Sequence, residues 1–290
     1  MDPDSKQDNR QRIDWRHGLL FFLGALGVQF LIVFFIVLIK TIGFFGKTPE
    51  GISASLASPL LVTLQIAITS AGLAALALFI PRLFRVHAPS WLRLQKPNFA
   101  LVVLSLLGMA AVGFLADEVV FQLHSLFPIL FDPAGLAGLN TIFASADSGS
   151  FIALTVVVSL GPGIGEELFF RGFVLRSFLA SWPPALAVIA SSLLFGIMHI
   201  DPLQAAGAGL IGVFLAFVVL QTGSVWTGVA AHALNNLICA LVARFDDGAS
   251  SDVWNQGHSL PVLLIATTAA CIACLGIIKI SKQLPQSKKR

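Results

Sequence analysis

Apolar runs of roughly 20 residues, separated by short polar breaks, make up most of this chain. Eight stand out, at about 19–39, 57–80, 99–116, 151–170, 185–200, 205–221, 225–243 and 261–279. A membrane-crossing helix needs about 20 mostly apolar residues. The pattern therefore predicts an all-α, multi-pass bundle of about eight transmembrane helices. The breaks carry turn chemistry: Gly46-Lys47-Thr48-Pro49, Pro81-Arg82, Trp182-Pro183-Pro184, Asp201-Pro202 and Thr222-Gly223-Ser224. Neither an internal repeat nor a polar domain interrupts the series. The expected organisation is a polar N-terminal tail at 1–18, a single bundle at 19–280 and a basic C-terminal tail at 281–290.

Composition strengthens the membrane reading. Of 290 residues, 56% are hydrophobic and 11% charged, with a mean hydropathy of +0.87. Soluble domains carry roughly 25% charged residues, so lipid must cover most of this surface. The run after Met1–His17 is too long for a signal-peptide core and has no small-residue cleavage site, so it is expected to remain as the first span. With the N-terminus inside, the inner segments hold Lys6, Arg10, Arg12, Arg16, Arg82, Arg85, Arg93, Lys96, Arg171, Arg176, Lys279, Lys282, Lys288, Lys289 and Arg290. Those are 15 of the 18 Lys and Arg, leaving Lys40, Lys47 and Arg244 outside. The positive-inside rule then puts both termini in the cytoplasm. Basic residues flanking spans face lipid headgroups, and a net charge of +3 does not suggest nucleic acid. Cys239, Cys271 and Cys274 all lie in apolar runs, where a free cysteine is usually a small buried hydrophobe. The terminal Lys288-Lys289-Arg290 is no prenylation box.

Against this background, ionisable groups inside spans are informative, because each costs several kcal/mol unless it faces a partner or a wet cavity. Three motifs hold them: Gly161-Pro-Gly-Ile-Gly-Glu166-Glu167-Leu-Phe-Phe-Arg171, Phe195-Gly-Ile-Met-His199 and His232-Ala-Leu-Asn-Asn236. Each contains an i,i+4 pair on one helical face: Glu167 with Arg171, Phe195 with His199, His232 with Asn236. Glu166 and Glu167 point about 100° apart and cannot share a role. Glu167 has Arg171 one turn on, which reads as structural support. Glu166 has no such partner, and a carboxylate stranded in apolar surroundings suits a general base.

Folding the chain at Pro183 places Glu166, 17 residues before it, level with His199, 16 residues after it, both about 25 Å from the turn. His232 lies 9 residues past Gly223, or about 13 Å. The heights agree if the 171–184 hairpin protrudes into the cytosol. Gly161-Pro162-Gly163 should kink the helix, either opening a water-accessible cavity beside Glu166 or simply serving packing. His17, His87, His124 and His258 fall outside the motifs. Asp117 through Phe131 reads as an amphipathic stretch that either lies along the outer membrane surface or covers the bundle. Asp201 would either orient the His199 ring or end a helix.

Taken together, the ordered motifs resemble the CPBP family, whose members include type II CAAX prenyl endopeptidases and bacterial abortive-infection or bacteriocin-immunity relatives. The residues that carry the resemblance are Glu166-Glu167 with Arg171, Phe195 with His199, and His232 with Asn236, within about 150–243. It implies an eight-helix membrane endopeptidase cutting near its substrate's C-terminus. By that analogy Glu166 and His199 activate the attacking water, His232 and Asn236 steady the oxyanion, and Glu167, Arg171 and Phe195 support the site. A second scheme stays open: Glu166, His199 and His232 also make up a catalytic zinc set, which would leave Glu167 as the base. There is no His-Glu-x-x-His, rhomboid-type Gly-x-Ser-Gly or pair of membrane aspartates, so other intramembrane peptidase classes are excluded.

Intramembrane Glu and His also build transporter sites, and a peptidase fold can serve as a non-catalytic immunity or regulatory module. The intact motifs favour the enzyme. Its expected partners are membrane lipid and a peptide or protein substrate, prenylated or membrane-bound, and its expected location is a bacterial inner membrane.

Overall fold

The computed structural model of the chain describes residues 13–43, 58–245 and 257–284. Lys6, Arg10, Arg12, Lys47, the break at 46–49 and the basic tail at 288–290 lie outside the described residues. Among the described residues every element is helical. The helices are α1 (Trp15–Gly43), α2 (Pro59–Leu83), α3 (Ala88–Trp91), α4 (Phe99–Leu126), α5 (Ala134–Ser145) and α6 (Ser148–Glu166), which passes without a break into a π-helical segment (Glu167–Val174) and α7 (Leu175–Leu179). They are followed by α8 (Pro184–Ile197), α9 (Pro202–Thr222), α10 (Val225–Phe245) and α11 (Leu260–Gln283). Side-chain caps start several of them. Asn98 accepts from Ala100 and Leu101 N–H, Asp147 from Gly149 and Ser150, and Asp201 from Gln204. Gly223, at φ 71, closes α9 in the left-handed conformation.

Among the described residues seven helices are long and apolar enough to cross a membrane. The fifth expected span, 185–200, is the shorter apolar helix α8, 14 residues or about 21 Å long. The chain is an integral, multi-pass membrane protein, and the large exposed side chains are those that lipid would cover: Leu20, Phe30 and Phe34 on α1, Leu107 on α4, Ile265 and Leu275 on α11.

One expectation changes. Asp117 does not open a surface-lying segment. Helix α4 runs on to Leu126 because Ala116 and Val120 continue its buried face, and Glu118 accepts from the His258 N–H at 2.7 Å. The 171–184 hairpin is covered by other parts of the chain. Arg171, Phe173, Val174 and Leu175 are buried, and the start of α1 wraps this segment. Phe21 packs on Phe173, Phe22 on Phe170 and Trp15 on Trp182.

Around the middle of the bundle, α6 is sandwiched between α2 and α10, while α8 lies along α9. These contacts need small residues. A methyl placed on Gly165 would sit 2.3 Å from the Ser70 carbonyl oxygen of α2, and one on Gly163 would sit 3.3 Å from Val229 O of α10. The glycines around Pro162 therefore serve close packing, and α6 continues through the proline. The helix departs from α geometry one turn later, in the π-helical stretch, a form frequent at functional sites.

Candidate functional site

Glu167 and Arg171 both belong to the π-helical segment and are both buried, at 0% and 2% exposure. Arg171 Nη1 donates to Glu167 Oε1 at 2.7 Å, and Nη2 donates to Gly212 O of α9 at 3.2 Å. The guanidinium also lies 4.2 Å from the centre of the Phe195 ring. Two glycines make room for the pair. A methyl on Gly228 would sit 2.7 Å from Glu167 Oε2, and one on Gly212 would sit 3.2 Å from Arg171 Nη2. Removing one member would leave an uncompensated buried charge.

His232, on α10, extends the network. Its Nδ1 is 3.1 Å from Glu167 Oε1, and its Nε2 is 4.0 Å from Glu166 Oε2. The second distance is too long for a direct hydrogen bond. His199 closes the turn between α8 and α9, where Ile200 adopts a left-handed φ of 65, rare for a β-branched residue. His199 Nδ1 lies 3.0 Å from Phe195 O. A carbonyl only accepts, so Nδ1 carries the proton and, in the neutral ring, Nε2 keeps its lone pair. Phe195 stands between the two imidazoles, with ring centroids 5.1 Å from His199 and 5.7 Å from His232.

Glu166 and His199 meet on the wall of a chamber of about 190 Å³, together with Gln29, Gln65, Thr69 and Gln204. Glu166 Oε2 is buried there with no hydrogen-bond partner among the described residues. A cavity beside Glu166 is thus present, where α1, α2 and the α8–α9 turn do not close over the carboxylate, and Pro162 is part of its wall.

Asn236 has a partner that the sequence pattern did not suggest. Pro162 has no N–H, so the carbonyl of Val158, four residues earlier, loses its helical donor. Asn236 Nδ2 supplies one at 3.1 Å. Asp201 caps α9 and does not orient His199. Residues 65, 69, 29 and 204, which complete the chamber wall, went unnoticed in the sequence, where isolated glutamines in apolar runs were the available signal.

Of the alternative zinc set, His232 Nε2 lies 4.0 Å from Glu166 Oε2, while His232 Nδ1 faces Glu167. Among the described residues no three His, Cys, Asp or Glu side chains gather to hold a metal ion. His17, beside Asp14, His124, beside Phe131 O, and His258, beside Glu118, all lie away from the chamber, as does His87, beside Ser90.

Residues 148–238 match the family model of type II CAAX prenyl endopeptidase, Rce1-like. This segment runs from the start of α6 to beyond Asn236, so it contains all three motifs. A Bacillus subtilis (strain 168) protein, "Uncharacterized protein YyaK", is 37% identical over 90 residues, 27% of this chain and 30% of that protein. The chain thus spans less than a third of the length of that relative. No solved structure matches. The family match agrees with the CPBP resemblance and supports a CAAX-protease-like intramembrane peptidase family.

Proposed function

We propose that this protein is an intramembrane endopeptidase that hydrolyses a peptide bond near the C-terminus of its substrate, using water activated by Glu166 and His199. One observation carries the reading: a buried carboxylate oxygen with no hydrogen-bond partner among the described residues and an imidazole whose Nδ1 is engaged by a carbonyl share one small polar chamber. A water bound between them donates one hydrogen bond to Glu166 and the other to His199. Glu166 takes its proton as the water oxygen attacks the scissile carbonyl carbon. The C–N bond then breaks, and the proton held by Glu166 passes to the leaving amine. His232 and Asn236 serve the developing oxyanion. Asn236 does so with the amide hydrogen not given to Val158 O. His232 does so from Nε2, which requires both ring nitrogens to be protonated, since Nδ1 already faces Glu167. Glu167, Arg171 and Phe195 fix the His232 ring.

The substrate class follows from what adjoins the chamber. An apolar groove of about 380 Å³ runs between α1 and α2, lined by Val28, Ile32, Ile68, Leu76 and Phe79, and it shares Gln29, Thr69, Leu73 and Met198 with the chamber. A methyl on Gly72, which lines the groove, would meet open space, so the helices do not close there. Such a groove suits a peptide carrying a prenyl chain or another apolar segment. A bacterial cell membrane is part of the proposal, supported by the likeness to a Bacillus protein.

The test is hydrolysis of a fluorogenic, farnesylated peptide with a C-terminal Cys-aliphatic-aliphatic-X sequence by the full chain in liposomes. Cleavage should fall by about 10²- to 10⁴-fold in Glu166→Gln and persist after chelation. Full activity in Glu166→Gln would sink the reading. Absence of cleavage by the unaltered chain would favour a non-catalytic binding or immunity module, and loss on chelation would restore the zinc scheme.

A further inference from the structure

Three carboxamides on the chamber wall have no part in the motifs. Gln29 is the sole side chain with hydrogen-bonding capacity between Leu19 and Phe35 of α1, Gln65 lies on α2, and Gln204 lies in the first turn of α9. Gln29 and Gln65 lie outside the segment that matches the peptidase family. Gln29 Nε2 donates to Met198 O at 3.3 Å, one residue before His199, while its Oε1 is buried without a partner among the described residues. The side-chain amides of Gln65 and Gln204 form no hydrogen bond to another described residue. Tying the α8–α9 turn to α1 accounts for one of Gln29's amide hydrogens. It accounts neither for the orphan oxygen nor for Gln65 and Gln204.

A substrate in this setting has a matching shortage. Backbone groups in a lipid environment must be satisfied, yet a peptide bond offered to Glu166 must leave any helix and lose its internal partners. Each carboxamide supplies both a donor pair and an acceptor, which complements an extended peptide's alternating N–H and C=O. Side-chain pockets of comparable polarity are not needed for that pairing, so recognition through it depends little on substrate sequence.

We propose that Gln29, Gln65 and Gln204 form a cradle that binds the main chain of the substrate in extended form across Glu166. The proposal rests on the peptidase reading and deepens it. Gln29 joins the cradle to the apolar groove, so one side chain would hold the backbone where the lipid-facing part of the substrate ends.

The test uses the full chain carrying Glu166→Ala in nanodiscs, so that binding is read without turnover. The probes are a fluorescent, farnesylated CAAX peptide and a series in which one backbone amide at a time is replaced by an ester, deleting a single N–H. Gln29→Met and Gln65→Met, near-isosteric and favourable in apolar helices, should each weaken binding of the all-amide probe by about five- to tenfold. At least one ester probe should bind the Glu166→Ala chain equally weakly, with no further loss when Gln29→Met is added. A glutamine acting only as a structural tie would not distinguish amide from ester probes. Unchanged affinity in both Met variants, losses that multiply for every ester, or no binding of the prenylated peptide would each overturn the cradle. The two readings fail separately. Gln-dependent binding without hydrolysis by the unaltered chain defeats the peptidase and keeps the cradle. Hydrolysis with an unchanged KM in Gln29→Met and Gln65→Met defeats the cradle alone.

Discussion

Glu166 and Glu167 are consecutive residues in two unlike regions, a filled slot and an open chamber. Around Glu167 the space is filled: Arg171 and His232 approach the same carboxylate oxygen, Gly212 O takes the second guanidinium nitrogen, and the other carboxylate oxygen, without a hydrogen-bond partner among the described residues, is enclosed against Gly228. Around Glu166 the walls are polar and only partly paired among the described residues, with a carboxylate oxygen and the Gln29 oxygen lacking partners and a histidine engaged through Nδ1 alone. The slot has partners enough to hold its shape without ligand. The chamber has capacity for hydrogen bonds that the chain itself does not fill, as a site for water and peptide should. One helix supplies both, because adjacent side chains point to different sides and the π-helical stretch begins between them.

The largest effect that would break this contrast is on stability. Arg171→Ala leaves Glu167 charged and buried, and should cost about 3–5 kcal/mol, whereas Glu166→Ala should leave the unfolding midpoint in detergent unchanged or raised. Equal losses in the two variants would mean that the chamber is as structural as the slot. Next is Gly228→Ala, which drives a methyl to 2.7 Å from Glu167 Oε2 and 2.8 Å from Val219 Cγ2. It should cost about 1–3 kcal/mol and lower the midpoint without removing any ionisable group. The smallest effect sharpens the role of Asn236. Asn236→Leu should cost about 1 kcal/mol by stripping Val158 O of its donor, and most of that cost should vanish in Pro162→Ala, where the helix supplies its own N–H. Peptide cleavage that stays low in the Asn236→Leu, Pro162→Ala double variant marks a chemical role for Asn236 beyond the carbonyl tether. Cleavage that recovers limits it to the tether.

Much of this was legible from residue patterns. Lipid leaves little freedom for polar groups, so Glu166, Glu167, Arg171, His199, His232 and Asn236 stood out against apolar helices, and the Glu167–Arg171 pair followed from i,i+4 spacing. The hairpin arithmetic brought Glu166 and His199 to one level, and the structure places both on the chamber wall. A count of residues along two helices says nothing about α1, which lies against the hairpin. The glycines near Pro162 left a cavity and packing both open in one dimension, because their neighbours, Ser70 and Val229, come from distant parts of the chain.

By itself, then, the sequence determined the environment, the helical class and the motif residues, since hydropathy, helical periodicity and the cost of polar groups in lipid are local properties. Only tertiary structure decided how those residues are shared out. Whether His232 faces Glu167, whether Asn236 repairs a carbonyl that a proline left bare, and whether three glutamines from three helices line one chamber all depend on which helices touch. Those contacts are set by shape at small residues, and a linear pattern does not record which partner each glycine was made to fit.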